Sequence, residues 1–237
     1  NKHNLTQSLR YEAIQSLSGG EKDKIDWMLK NMHFNKTYKY FSKGLDSKNK
    51  NILLNNLKEK YLKYRKDWKN QPKKCFEKKL YGKELKKEQI TPLCIDIEVA
   101  AICDLACPFC YRQYIATPDK IMEKRLAFKL IDQASEMNVP SMKFNWRGEP
   151  LLNPELPEII SYAKSKGILE TIINTNVTQL DNKLSEKIIL SGLDLMIISF
   201  DGGSKINYEK MRPGRFKKNS FEKVIKNIKN FSKIKKK

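Results

Sequence analysis

From residue 92 onward the sequence alternates strand-like and helix-like stretches four times, and that succession constrains the fold more than any other feature of the chain. Leu93 to Val99, Ser141 to Trp146, Glu170 to Asn174 and Asp194 to Ser199 read as short strands. Helical periodicity follows each of them. Asp119 to Met137 carries Ile121, Leu126, Leu130, Ile131 and Ala134 on its apolar side. Leu156 to Ser165 is closed by Gly167, and Asp181 to Leu190 by Gly192. Asn219 to Ser232 presents Phe221, Val224, Ile225, Ile228 and Phe231. Strand and helix in strict alternation predict an α/β domain with a parallel sheet and right-handed crossovers. Ligands of such sheets sit at the carboxyl ends of the strands.

Residues 1 to 90 have a different texture. Apolar positions recur at three and four residues in Glu21 to Met32 and in Asn51 to Trp68, where Leu53, Leu54, Leu57, Tyr61, Leu62 and Tyr64 form a stripe. Ser18-Gly-Gly20 is a break, Gln71-Pro72 is expected to end the second helix, and Tyr81 to Gln89 suggests a short third one. The stripes read as buried faces, and no catalytic constellation or internal repeat accompanies them.

The formal net charge of +20 is concentrated at the two ends. Residues 1 to 90 carry 23 Lys/Arg against 10 Asp/Glu, residues 91 to 214 carry 14 against 16, and residues 215 to 237 carry 10 against 1. A basic end can hold nucleic acid or an acidic surface. Here the positive charge is mostly lysine, and phosphate and base readers favour arginine. Nucleic acid is therefore an admissible partner that the composition does not favour. No signal peptide or membrane-spanning run is evident, which predicts a cytosolic chain with reduced thiols. A first residue other than Met, and a lysine-rich end directly after a helical pattern, predict that the natural protein continues beyond Lys237.

The four predicted strand ends carry the polar residues of interest. Cys103, Cys107 and Cys110 follow the first strand at Cys-x3-Cys-x2-Cys spacing, with Phe109 just before the last. Three thiolates on one short loop can hold three irons of a four-iron cluster and leave the fourth open. Structural zinc is the competing reading. Its remaining ligand would come from Cys75, Cys94, His3 or His33, none at zinc-finger spacing. Arg147-Gly-Glu-Pro150 follows the second strand, Thr175-Asn176 the third, and Ser199-Phe-Asp201 the fourth. Glu98, just before the cysteine loop, either orients that loop or alternates outward from its strand.

The cysteine run resembles the cluster loop of the radical S-adenosylmethionine (SAM) superfamily. Lys143-Phe-Asn-Trp-Arg-Gly-Glu-Pro150 resembles that family's Gly-Gly-Glu-Pro element, with Arg147 in place of the first glycine. Ile197-Ile-Ser-Phe-Asp-Gly-Gly203 resembles a Ser-x-Asp-Gly element common in its peptide-modifying branches. The resemblance spans roughly residues 92 to 231. It implies a partial parallel (β/α) barrel of the radical SAM type in residues 91 to 237, preceded by a basic, mostly helical extension in residues 1 to 90. Further barrel units, and a C-terminal region for auxiliary clusters, would lie outside this chain.

The same resemblance implies a [4Fe-4S] cluster on Cys103, Cys107 and Cys110, and SAM as the second cofactor. Reductive cleavage of SAM would give a 5′-deoxyadenosyl radical that abstracts hydrogen from a substrate. Gly148, Glu149 and Pro150 would bind the SAM amino group, Ser199 and Asp201 its ribose or carboxylate, and Arg212 its carboxylate. Phe109, with Pro108, would help keep water from the cluster. Asn176 would face substrate or simply end its strand. The favoured substrate is a peptide or protein; a small metabolite, a tRNA-modifying enzyme and a non-catalytic metal- or cluster-binding protein are the alternatives. A flavodoxin or ferredoxin would supply electrons.

Overall fold

In the first unit, Asn1–Leu93, every described element is helical. The computed structural model describes residues 21–236, so the Ser18–Gly20 break and His3 lie outside the described residues. Helix α1 (Glu21–Asn31) leads through a 3-10 turn (Met32–Phe34) to α2 (Lys36–Phe41), the long α3 (Ser47–Glu77) and the short α4 (Lys83–Lys87). Asp46 caps α3 by accepting from the Asn49 backbone N–H at 2.8 Å. Met28, Met32, Leu57, Tyr61 and Tyr64 are buried, while Leu62 lies 46% exposed on the other side of its helix. Helix α3 does not stop at Gln71-Pro72 but runs through Pro72 to Glu77. Proline deprives the Trp68 carbonyl of its donor four residues on. Trp68 and Pro72 are both exposed, so solvent can serve that carbonyl, and the helix resumes.

The second unit, Cys94–Lys237, is the α/β domain that the alternation predicts. Its strands are β1 (Cys94–Asp96), β2 (Ser141–Lys143), β3 (Glu170–Thr175) and β4 (Leu195–Ile198). They form one parallel sheet in the order β1-β2-β3-β4. Cys94 is in register with Ser141, Ser141 with Glu170, and Ile172 with Leu195. The first two strands are shorter than the apolar runs suggest. The ladder nonetheless extends beyond them through Ile97 N–H to Lys143 O (2.8 Å) and Phe144 N–H to Ile172 O (2.9 Å).

Helices α5 (Lys124–Glu136), α6 (Leu156–Ser165), α7 (Asn182–Ser191) and α9 (Phe221–Lys235) follow the four strands, and α8 (Lys205–Met211) lies between β4 and α9. The first of these helices was expected from Asp119 but begins at Lys124. Residues before it run extended beside the segment after β1, with Met122 N–H donating to Val99 O (3.0 Å) and Ala101 N–H to Lys120 O (2.7 Å). Ile121 and Leu126 are consequently half exposed, and the buried stripe of α5 is Ala127, Ile131 and Ala134. Leu156, Ile159, Ile160 and Ala163 of α6 complete the layer against Met142, Phe144 and Ile173 of the sheet side. Asp181 caps α7 through the Leu184 N–H (2.7 Å), and Gly192 ends it in the left-handed conformation.

A buried ion pair fastens the amino ends of the later strands. Lys164 of α6 is fully buried and donates to Asp194 at 2.7 Å and to the Leu169 carbonyl at 2.8 Å. Asp194 also accepts from the Thr171 N–H (2.8 Å) and hydroxyl (3.0 Å). The pair thus locks α6, the start of β3 and the approach to β4. No helix among the described residues is long and apolar enough to cross a membrane.

Candidate functional site

The loop after β1 carries the three cysteines, all of them free thiols. Cys110 N–H donates to Cys107 O at 3.0 Å, which closes the turn between the last two. A second segment, residues 212–215, holds the loop from outside. Ala106 N–H donates to Pro213 O and Arg215 N–H to Asp104 O, both at 2.8 Å. Cys103, Cys107 and Cys110 line a cavity of about 400 Å³ together with Arg112, Thr117 and Arg215. The three cysteines thus border a shared space; among the described residues no group of three or more His, Cys, Asp or Glu is arranged to hold a metal ion.

Burial pushes the Cys103 thiol up to about 12, helped by the carboxylates of Glu149 and Asp104. Burial raises Cys107 as well, with the Arg212 guanidinium pulling the other way. Such thiols stay neutral until a metal cation reverses the balance, since coordination deprotonates a thiol outright. A cavity walled by three thiols, with cationic side chains beside it, fits an anionic iron-sulfur cluster.

Gly148-Glu149-Pro150 is the junction between β2 and the cysteine loop. A Cβ at Gly148 would meet the Ala100 carbonyl oxygen at 2.0 Å and that of Ile102 at 2.5 Å. Only glycine admits this approach. The next residue fastens it, with Glu149 N–H donating to Ile102 O at 2.9 Å. The Glu149 carboxylate is only 2% exposed. One oxygen accepts from the Thr175 hydroxyl (2.6 Å) and Leu151 N–H (3.0 Å), the other from Asn176 N–H (2.7 Å). Burial raises its pKa to about 7, against the pull of these three donors. Glu149 therefore ties the end of β2 to the end of β3.

Asn176 continues that tie. Its amide donates to Asp104 at 2.9 Å and approaches the Cys103 sulfur at 3.9 Å. Asp104 collects Asn176, the Thr178 hydroxyl and the Gln179 amide (2.8 Å). Asn176 is buried, so its side chain braces the cysteine loop from the end of β3. The next residue, Val177, sits at φ 55, a left-handed conformation costly for a β-branched side chain. The Thr175 hydroxyl (3.0 Å to Val177 N) and Asn227 amide (2.8 Å to Val177 O) hold it there.

The end of β4 supplies the remaining side. Ser199 is half-buried and its N–H donates to Thr175 O at 2.8 Å. Asp201 does not stand alone but is ion-paired with Arg212, whose Nε donates to it at 2.7 Å. The Arg212 Nη1 reaches the Cys107 sulfur at 3.9 Å, and its guanidinium lies 5.7 Å from the Phe109 ring centre. Arg212 is thus a largely buried link between β4 and the cysteine loop. Phe109 is 52% exposed and sits on the rim of the loop.

Glu98 turns inward to Arg147. The carboxylate accepts Arg147 backbone N–H (2.9 Å), Nε (2.9 Å) and Nη2 (2.5 Å). Burial opposes ionisation of Glu98, yet these contacts outweigh it and hold the carboxyl below the usual range. The arginine that replaces a glycine of the family element therefore has its own partner on β1's extension. Sequence reasoning placed Thr175 at the third strand end without its partner, and missed Asp104, Arg112, Asp119 and Arg215. Asp104 and Arg112 lie in or beside the cysteine run, which was the available signal; the others have partners distant in sequence.

The sequence profile of the radical SAM superfamily matches residues 97–237. The chain is 29% identical over 135 residues to a probable GTP 3',8-cyclase of Methanococcus maripaludis, covering 56% of this chain and 42% of that protein. It is 33% identical over 87 residues to a PqqA peptide cyclase of Xanthomonas oryzae, covering 36% and 23%. The chain thus spans less than half the length of these curated relatives. Among solved structures, native anSMEcpe with bound AdoMet superposes with a TM-score of 0.53 at 22% identity, over 61% of this chain and 42% of that one. Streptococcus suis SuiB bound to precursor peptide SuiA gives 0.51 at 19% identity, over 90% and 44%. Both likenesses concern the fold, which is the partial parallel (β/α) barrel. With the profile spanning more than half of the sequence, and the cysteine loop, the Gly-Glu-Pro junction and the β4 end meeting on one rim, this chain belongs to the radical SAM superfamily, whose cofactors are a [4Fe-4S] cluster and S-adenosylmethionine.

Proposed function

We propose that residues 94–237 form the cluster- and SAM-binding part of a radical SAM enzyme. The observation that carries this reading is the convergence of Cys103, Cys107 and Cys110 on one cavity at the carboxyl ends of the strands. Those cysteines would hold the cluster. Bound there, cluster and SAM together would supply a 5′-deoxyadenosyl radical for hydrogen abstraction. The chain's own residues shape and seal the site. Gly148 brings the β2 end against the cysteine loop, and Glu149 fixes the ends of β2 and β3 from inside. Ser199 and Asp201 present polar groups at the β4 end for SAM, with Arg212 holding Asp201 in place.

A peptide or protein is the favoured substrate class. The Ser199-Phe-Asp-Gly202 element supports it, as do a peptide cyclase among the relatives and a precursor-peptide complex among the structural neighbours. The lysine-rich first unit keeps an RNA substrate in view, and the steepness of RNA affinity against salt separates the two.

Anaerobic iron-sulfur reconstitution followed by EPR of the dithionite-reduced protein tests the core of the reading. The expected result is a reduced four-iron signal that shifts when SAM is added and is lost in Cys107→Ala. Bound zinc with no cluster would overturn it.

A further inference from the structure

Two arginines share the cavity with the three cysteines. Arg112 follows Cys110 by two residues, and Arg215 is the last residue of the segment that holds the cysteine loop from outside. One carboxylate clamps both: Asp119 Oδ1 accepts from Arg112 Nη2 at 3.0 Å and from Arg215 Nη1 at 2.8 Å. The trio leaves one positive charge in excess. The Arg112 side chain is only 9% exposed, yet its Nη1 is buried with no acceptor among the described residues. Both arginines line the same cavity as the three cysteines, so their charge acts on whatever group that cavity holds. The guanidinium fork has donors to spare after Asp119 is served.

We infer that Arg112 and Arg215, clamped by Asp119, set the potential at which the cluster in this cavity accepts its electron. The inference rests on the cluster-binding reading given above. Thiolate and sulfide sulfurs are the acceptors that a cluster brings. Reduction by one electron, drawn from dithionite in the test, adds one negative charge to the cluster. A fixed cation and an N–H donor beside it stabilise that added charge and raise the potential, as hydrogen bonds and net charge do generally at such clusters. Asp119 works in the other direction, because it cancels part of the cationic field while fixing its position.

The experiment is a redox-poised EPR titration of the reconstituted protein, with iron content determined for each variant. Arg112→Gln should keep its iron while the reduced-to-oxidised ratio at a fixed potential falls about tenfold, equal to about 59 mV for one electron. Arg112→Lys should retain most of the wild-type value. Asp119→Asn should move the midpoint the opposite way, upward. Opposite signs in the two variants are a signature that a merely structural role does not produce. Should Arg112→Gln lose its iron, Arg215→Gln decides, and a downward shift there sustains the inference. Iron-replete variants with wild-type midpoints overturn it, as does loss of iron in every variant. Failure of the wild-type protein to take up a cluster would instead overturn the functional reading on which it rests.

Discussion

Gly148→Ala is the sharpest perturbation that the site offers. The added methyl would lie 2.0 Å from the Ala100 oxygen and 2.5 Å from the Ile102 oxygen, far inside any tolerated contact. Both are backbone atoms, so no side chain can swing away. The β2 end and the cysteine loop must separate instead, and the Glu149 N–H to Ile102 O bond (2.9 Å) must stretch or break. Overpacking costs ~1–3 kcal/mol, and a buried backbone hydrogen bond adds about 1 kcal/mol. A loss of about 2–4 kcal/mol is therefore expected from these two effects together. Gly203→Ala is the matched control, because a Cβ there meets nothing within 4 Å. Urea unfolding of both variants measures the difference, and iron uptake reports whether the cysteine loop has moved. If Gly148→Ala proved as stable as Gly203→Ala and bound iron normally, the reading of Gly148 as the close junction between strand and loop would be wrong.

Three further perturbations test the polar framework. Burial raises the Glu149 pKa to about 7, so its contribution to stability is complete below the unfolded value near 4.5 and declines as pH rises through 7. Urea unfolding between pH 5 and 8 should show that decline in the wild type and not in Glu149→Gln; parallel pH profiles would exclude it. Lys164→Met should destabilise the protein by about 3–5 kcal/mol, since it leaves Asp194 buried without its cation. A loss below about 1 kcal/mol, the scale of an exposed pair, would mean that the site admits water. Glu98 and Arg147 should show favourable coupling in a double-mutant cycle at neutral pH. Because Glu98 has a depressed pKa, that coupling should fade as pH falls through its folded value. A coupling that stays constant into acid would contradict the ion-pair assignment.

What the sequence could reveal depended on how far apart the partners lie along the chain. Hydrophobic periodicity is local, and it identified four strand-helix units in their observed order. The same locality led to error at Pro72, where a local breaker failed because its neighbours are exposed. It also missed α8, a helix of seven residues that is too short to show a full apolar stripe, although Ser204 caps it by accepting from Asn207 N–H at 3.3 Å. The Cys-x3-Cys-x2-Cys spacing was legible because it lies within a single loop. Glu149 shows where local reading runs out. The Gly-Glu-Pro run marks a strand end, but the hydrogen-bond partners of its carboxylate, Thr175 and Asn176, lie 26 and 27 residues downstream. Arg212 is similar, since its neighbour Cys107 is 105 residues away. These distant contacts share one consequence. The cysteine loop is braced by Glu149 through Asn176, by Asp104 through Thr178 and Gln179, and by Arg212 through Asp201. The braces start beyond the carboxyl ends of β2, β3 and β4; the first two meet at Asp104, next to Cys103, and the third reaches Cys107. A parallel sheet thus does more than bring the loops together: the ends of β2 and β3 hold the cysteine loop at Asp104, and the end of β4 holds it at Cys107 through Arg212.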